Sequence, residues 1–154
     1  MRVVLDTNIL VRANPIVSPQ GVARDLLLTI VSGPDVLVLS TFILTEVERV
    51  MSYPRVRARW PLEQETIEQY LAFLETAGTL ADIPAVSPAI VSDPDDDPIL
   101  QTAIVGRADV LCTRDEAFRD EVVEHVCKAH SLRVLDDIAL LQELRESRKS
   151  DVKK

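Results

Sequence analysis

Arg2-Val3-Val4-Leu5-Asp6-Thr7-Asn8 is the stretch whose reading decides the fold. Three apolar residues, two of them β-branched, make a short strand that stops on a carboxylate and two neutral polar groups. A second apolar run, Val36 to Leu39, is uninterrupted, as in a strand covered on both faces. Between them, Val22 to Val31 carries Val22, Leu26, Leu27 and Ile30 at helical spacing and ends at Gly33-Pro34. Strand, helix, strand is the opening of a parallel sheet.

The pattern continues outward. Ser40 or Thr41 caps a helix running to about Met51, ahead of Pro54. Leu62 to Ala77 is amphipathic, with Ile67, Tyr70, Leu71 and Leu74 on one stripe and Gly78 as its stop. Thr79 to Ile83 is a further strand candidate. Pro84 to Pro98 is loop-rich, with four prolines and the run Asp93-Pro94-Asp95-Asp96-Asp97. A helix then follows from Pro98 to about Val105, with Leu100, Gln101 and Ile104 expected inward. Asp109 to Thr113 reads as a strand, Glu121 to Ala129 as a helix, and Leu132 to Leu135 as a strand. Asp136-Asp137 opens a last helix to about Glu146. The reading is one α/β domain over residues 1–146, a three-layer α/β/α sandwich around a mainly parallel sheet, with a frayed, charged tail at 147–154.

Composition narrows the function. The 154 residues carry a net charge of −8, which disfavours broad electrostatic capture of nucleic acid or an anionic membrane. The most apolar stretch, Val36 to Leu44, falls well short of the roughly 20 residues of a membrane span. The N-terminus reaches Asp6 too soon for a signal peptide, and Cys112 and Cys127 have no CxxC spacing. The chain therefore reads as cytoplasmic, with two reduced thiols and no membrane partner.

In open α/β sheets, sites gather outside the carboxyl ends of the strands. Asp6 stands at one such end, and Asp115 stands two residues beyond Thr113 near another. Either alone could be a turn former or a helix cap. Glu46, in the first two turns of the helix after the second strand, is placed to face the same edge, whereas Glu48 with Arg49 reads as solvated. A glutamate near a core stripe is costly unless it is paired or bound to a cation. In the acidic run, Asp97 is taken as the inward-facing member, with Asp95 and Asp96 left open as alternatives.

Asp6, Glu46, Asp97 and Asp115, with no His or Cys partner, favour a hard cation held by oxygen, Mg²⁺ or Mn²⁺, as one or two ions. Such a set suits in-line phosphodiester hydrolysis, two ions sitting roughly 3.5–4 Å apart. Asn8 and Thr113 are neutral groups suited to orienting a carboxylate, a water or a phosphate. His125 and His130 are five residues apart and share no helix face. Arg55, Arg57, Arg59 and Trp60, with Tyr53, make a basic-aromatic patch that could track a nucleic-acid backbone and stack a base. The competing reading is a loop whose Trp60 packs on the core.

Taken together, Val3-Val4-Leu5-Asp6-Thr7-Asn8, Ser40 with Glu46, Asp93-Pro94-Asp95-Asp96-Asp97-Pro98-Ile99-Leu100 and Ala108 to Asp115 resemble a PIN domain, over about residues 2–145. The Asp-Asp-Asp-Pro-Ile-Leu form is similar to that of the subgroup assigned as toxins of toxin–antitoxin systems, the VapC-like ribonucleases. The resemblance implies an α/β/α sandwich and Mg²⁺- or Mn²⁺-dependent cleavage of single-stranded RNA. It also implies a homodimer and a small antitoxin partner. Carried over, Asp6, Glu46, Asp97 and Asp115 are the catalytic, metal-binding acids, and Asn8 and Thr113 support them.

Two other acidic α/β classes fail on the residues. A dehalogenase-like phosphatase needs Asp-x-Asp where this chain has Asp6-Thr7-Asn8, and a receiver domain needs a lysine that is missing before Lys128. A non-catalytic PIN-like module that binds RNA or protein is the remaining alternative. The net charge also fits the site: split at Leu80, the two parts carry −2 and −6, and six acids of the second lie between Asp93 and Asp115. Cations bound there would neutralise the place a phosphate must approach.

Overall fold

The computed structural model describes residues 1–84 and 97–153. Five strands pair in parallel: β1 (Arg2–Leu5), β2 (Val36–Leu39), β3 (Thr79–Leu80), β4 (Val110–Cys112) and β5 (Arg133–Leu135). Their order in the sheet is β3-β2-β1-β4-β5. The chain therefore builds outward from β1 to β3, then crosses back and continues on the other side with β4 and β5.

Helices flank this sheet, as the alternation of apolar runs and amphipathic stretches requires. Among the described residues they are α1 (Thr7–Arg12), α2 (Val22–Val31), α3 (Thr41–Met51), α4 (Pro54–Arg59), α5 (Gln64–Ala77), α6 (Asp97–Val105), α7 (Glu121–Ala129) and α8 (Asp137–Val152). A short 3₁₀ turn covers Glu116–Arg119. The central strands are buried throughout their inner residues, with Val3, Val4, Leu5, Leu37, Val38, Leu39, Val110, Leu111 and Cys112 all at 0–1% exposure. That burial is why those runs show no polar alternation.

The sheet's two-sided burial fixes the site edge. β1 and β4 are in register, with Leu5 opposite Cys112, and the ladder extends one step further through the Asp6 N–H, which donates to the Cys112 carbonyl at 2.9 Å. Asp6 and Thr113 consequently leave adjacent strands at the same level. Ser40, at the end of β2, caps α3 by accepting from the Ile43 N–H at 3.3 Å. Its hydroxyl also receives the Thr102 hydroxyl at 2.8 Å, which ties α6 to the same edge.

Several expectations change in detail. The third strand is two residues long rather than spanning Thr79 to Ile83. On α6 the buried face is Ile99, Leu100, Thr102 and Ala103, with Gln101 and Ile104 half-buried. The basic-aromatic segment is not a loop: Pro54 at the first turn starts α4, and Trp60 packs partly on the core. Both cysteines are free and buried. The acidic residues Asp93, Asp95 and Asp96 lie outside the described residues.

The tail differs most. Instead of fraying after Glu146, α8 continues to Val152. Charged side chains on it find partners on α2: Arg145 pairs with Asp25 at 3.6 Å, and the Arg148 guanidinium donates to the Thr29 carbonyl. Gly33 leaves the room, because a Cβ there would overlap that guanidinium. Removing this bond with Arg148→Ala is expected to cost about 1 kcal/mol in a denaturant titration and to speed amide exchange over residues 147–152.

Candidate active site

β1 and β4 are the neighbours between which the strand order reverses, and the crevice outside their carboxyl ends is where an open parallel sheet accepts a ligand. A cleft of about 330 Å³ lies there, lined by Asp6, Asn8, Ile9, Arg12, Arg114 and Asp115.

Asp6 is the buried member, only 6% exposed. Its position follows from the local sequence: β1 ends on it, and its carbonyl accepts from the N–H groups of Ile9 and Leu10 at 3.0 and 3.1 Å, starting α1. The Thr113 hydroxyl donates to Asp6 Oδ2 at 2.6 Å. The same hydroxyl oxygen accepts the Asp115 backbone N–H at 3.0 Å, so one threonine joins the Asp6 carboxylate to the Asp115 backbone. Asp115 is exposed, and its Oδ1 accepts from the Ala117 N–H at 2.9 Å as the cap of the 3₁₀ turn.

Burial pushes the Asp6 carboxyl above its ordinary range, and the negative charge of Asp115 adds to this. The hydrogen bond from Thr113, a backbone bond from Thr7 and the charge of Arg12 pull the other way. A desolvated carboxylate beside a second carboxylate is a place where a cation lowers the free energy. The donors are oxygens without His or Cys, the set that a hard divalent ion prefers. Asp6 and Asp115 are the acids this cleft offers. Among the described residues, no group of three His, Cys, Asp or Glu side chains is gathered in a way that could hold a metal ion.

The other sequence-predicted residues sit as follows. Asn8 is exposed at the rim of the cleft, and Thr113 is fully buried beneath it. Asp97 is 6% exposed at the start of α6, in agreement with an inward-facing carboxylate, but it is not among the residues lining the cleft. Glu46 is half-buried on α3, and both its oxygens accept from Arg49, at 3.0 and 2.6 Å. Arg49 also reaches the Tyr53 hydroxyl. The pairing removes the cost that made Glu46 conspicuous in the sequence. Arg55, Arg57 and Arg59 are exposed; Arg57 donates to Gln64 at 2.9 Å, and Arg59 covers the Trp60 ring at 4.8 Å. None of the four lines the Asp6 cleft.

Sequence reasoning missed three participants. Asp137, which reads as one of two helix-opening acids, is 1% exposed and holds the Arg114 guanidinium at 2.6 and 3.1 Å. The capping role belongs to Asp136, which accepts from the Ala139 N–H at 2.8 Å. Arg12 and Arg114 bring positive charge into an otherwise acidic cleft. The only sequence signal for Arg114 was its place between Thr113 and Asp115.

A parallel α/β protein with a coupled aspartate pair at the switch point of its sheet belongs to the broad class that acts at the carboxyl edge of the strands. The comparison with known families makes this specific: the PIN domain model matches residues 2–117, well over half of the chain, and the chain belongs to that family. PIN domains are typically metal-dependent nucleases acting on nucleic acid. No curated protein and no solved structure gave a significant match. No helix among the described residues is long and apolar enough to cross a membrane.

The raised Asp6 pKa has a consequence for stability. The folded protein binds this proton more tightly than the unfolded chain does, so stability falls as pH rises from the ordinary aspartate value to the folded one, and stays lowered above it. Asp6→Asn in metal-free protein is therefore expected to raise Tm at neutral pH. The gain should shrink on acidification, as read by melting curves across the acid range.

Proposed function

We propose that this chain is a Mg²⁺- or Mn²⁺-dependent endoribonuclease that hydrolyses phosphodiester bonds of single-stranded RNA. The observation that carries the reading is the Asp6–Thr113–Asp115 arrangement at the sheet's switch point, inside a PIN domain. Asp6 and Asp115 would hold the divalent ion, with Asp97 and Glu46 as the further acids and Asp95 or Asp96 as neighbours of Asp97. When bound, such an ion supplies Lewis-acid charge and lowers the pKa of an attacking water.

The chain's own residues account for the rest. Thr113 fixes one Asp6 oxygen by a charge-assisted bond, so the carboxylate presents a constant orientation. The Asp115 backbone N–H on the same hydroxyl holds the start of the Asp115 turn beside Asp6. Asn8 at the rim has an amide able to meet a substrate oxygen or a water. Net acidity then makes substrate binding depend on the cation, because the phosphate approaches carboxylates.

We further infer the toxin role, a small antitoxin partner and a homodimer from the Asp-Asp-Asp-Pro-Ile-Leu form of the acidic motif. One observation favours a second reading, a non-catalytic RNA- or protein-binding module: both Glu46 oxygens are already engaged by Arg49. The two readings separate on a single assay. With Mn²⁺, purified protein is expected to degrade single-stranded RNA, and Asp6→Asn or Asp97→Asn is expected to abolish this. Equal activity in wild type and both variants, or activity that persists in excess EDTA, contradicts the metal-nuclease reading. A wild type that binds RNA without cutting it favours the module.

A further inference from the structure

The acidic cleft is also lined by two guanidinium groups, and their bonding differs in a telling way. Arg114 leaves β4 between Thr113 and Asp115, about half exposed. Its Nε and Nη2 donate to the two oxygens of buried Asp137 at 2.6 and 3.1 Å, which fixes the plane of the group. Arg12 stands in the last turn of α1, half-buried. Its Nε is fully buried and has no hydrogen-bond partner. A helix C-terminus accounts for a cation at this position, but not for a buried N–H left without an acceptor.

Both arginines face two spaces at once. They line the cleft of Asp6 and Asp115, and they also line an adjoining recess of about 140 Å³ with Ser18, Asp137, Gly21 and the first residues of α2. That end of α2 has Gly21 as its cap and so no side-chain capping bond. An anion entering the cleft beside the two aspartates would therefore also meet the guanidinium groups of Arg12 and Arg114. A guanidinium donates in the planar geometry that phosphate oxygens accept.

We propose that Arg12 and Arg114 form a phosphate clamp, holding a backbone phosphate of the nucleic-acid strand against the Asp6–Asp115 pair. Arg114 is the pre-positioned arm, set by Asp137, and Arg12, on the last turn of α1, is the second arm. This rests on the nuclease reading and adds to it the groups that position the substrate. It also explains how a chain of net charge −8 keeps cationic contacts where a phosphate must dock. A neutral or cationic ligand would gain nothing from this pair.

The test is binding, with cleavage read separately. A fluorescein-labelled single-stranded RNA ten-mer is titrated with full-length protein in Ca²⁺ by anisotropy, between 50 and 200 mM salt, with the RNA checked for integrity. Arg12→Ala is expected to weaken binding about 10-fold and to make the slope of log K against log salt shallower by about 0.7, the loss of one phosphate contact on a single strand. Arg12→Lys keeps the charge and should keep the slope. Arg114→Ala is made together with Asp137→Asn, so that no buried carboxylate is orphaned, and should lose the same slope increment. Arg145→Ala, in the middle of α8 and outside the cleft lining, serves as the unchanged control. Wild-type affinity and slope in both arginine-deletion proteins, with wild type binding RNA normally, overturns the clamp and leaves the nuclease reading standing. A wild type that neither binds RNA in Ca²⁺ nor cleaves it in Mn²⁺ overturns both.

Discussion

Everything at this edge of the molecule follows from one constraint, the burial of a carboxylate where β1 ends. Asp6 is nearly inaccessible, and an ionised group in that position is costly unless its surroundings answer it. The Thr113 hydroxyl does so at 2.6 Å, which requires β4 to lie beside β1 in the register that puts Leu5 against Cys112. That register places Asp115 next, its N–H on the same hydroxyl. The strand order, the threonine and the second aspartate are therefore one arrangement. Shifting β4 by a single residue would break all of it, because alternate residues point to opposite faces.

The cleft mixes charge rather than accumulating one sign. Asp6 and Asp115 are opposed by Arg12 and Arg114, and Arg114 is itself held by Asp137 from α8. A buried carboxylate paired to an arginine is weak evidence for stability, since desolvation offsets much of the attraction. Its better use is to hold a guanidinium in one place. Seen this way, α8 serves the site at its first residue and the fold further along, where Arg145 and Arg148 reach α2.

Much of this was legible in the sequence, for identifiable reasons. β1, β2 and β4 are buried on both faces, so their apolar runs carry no ambiguity, and the Glu121 to Ala129 helix stands with the bounds read from the sequence. Asp6, Thr113 and Asp115 were visible as polar residues at strand exits. The failures are as informative. α1 is one and a half turns with Thr7, Ile9 and Val11 among its six residues, too short and too β-branched for periodicity to show. α4 begins at a proline and carries an arginine at every second position after it, and composition alone reads that as a loop. Glu46 looked like an uncompensated acid because its partner Arg49, one turn on, was assigned to solvent. The helical tail depends on contacts with α2, more than a hundred residues earlier, which no local pattern carries. Asp137 and Arg12 were overlooked because a helix-opening acid and a helix-ending base are unremarkable until burial is known.

The central claim is that the Asp6–Asp115 cleft is a divalent-cation site. Calorimetric titration of Mn²⁺ into wild type, Asp6→Asn and Asp115→Asn tests it without reference to any substrate. The account predicts saturable binding to wild type and at least a 10-fold loss of affinity in each variant. Indistinguishable Mn²⁺ affinity in all three proteins would contradict it.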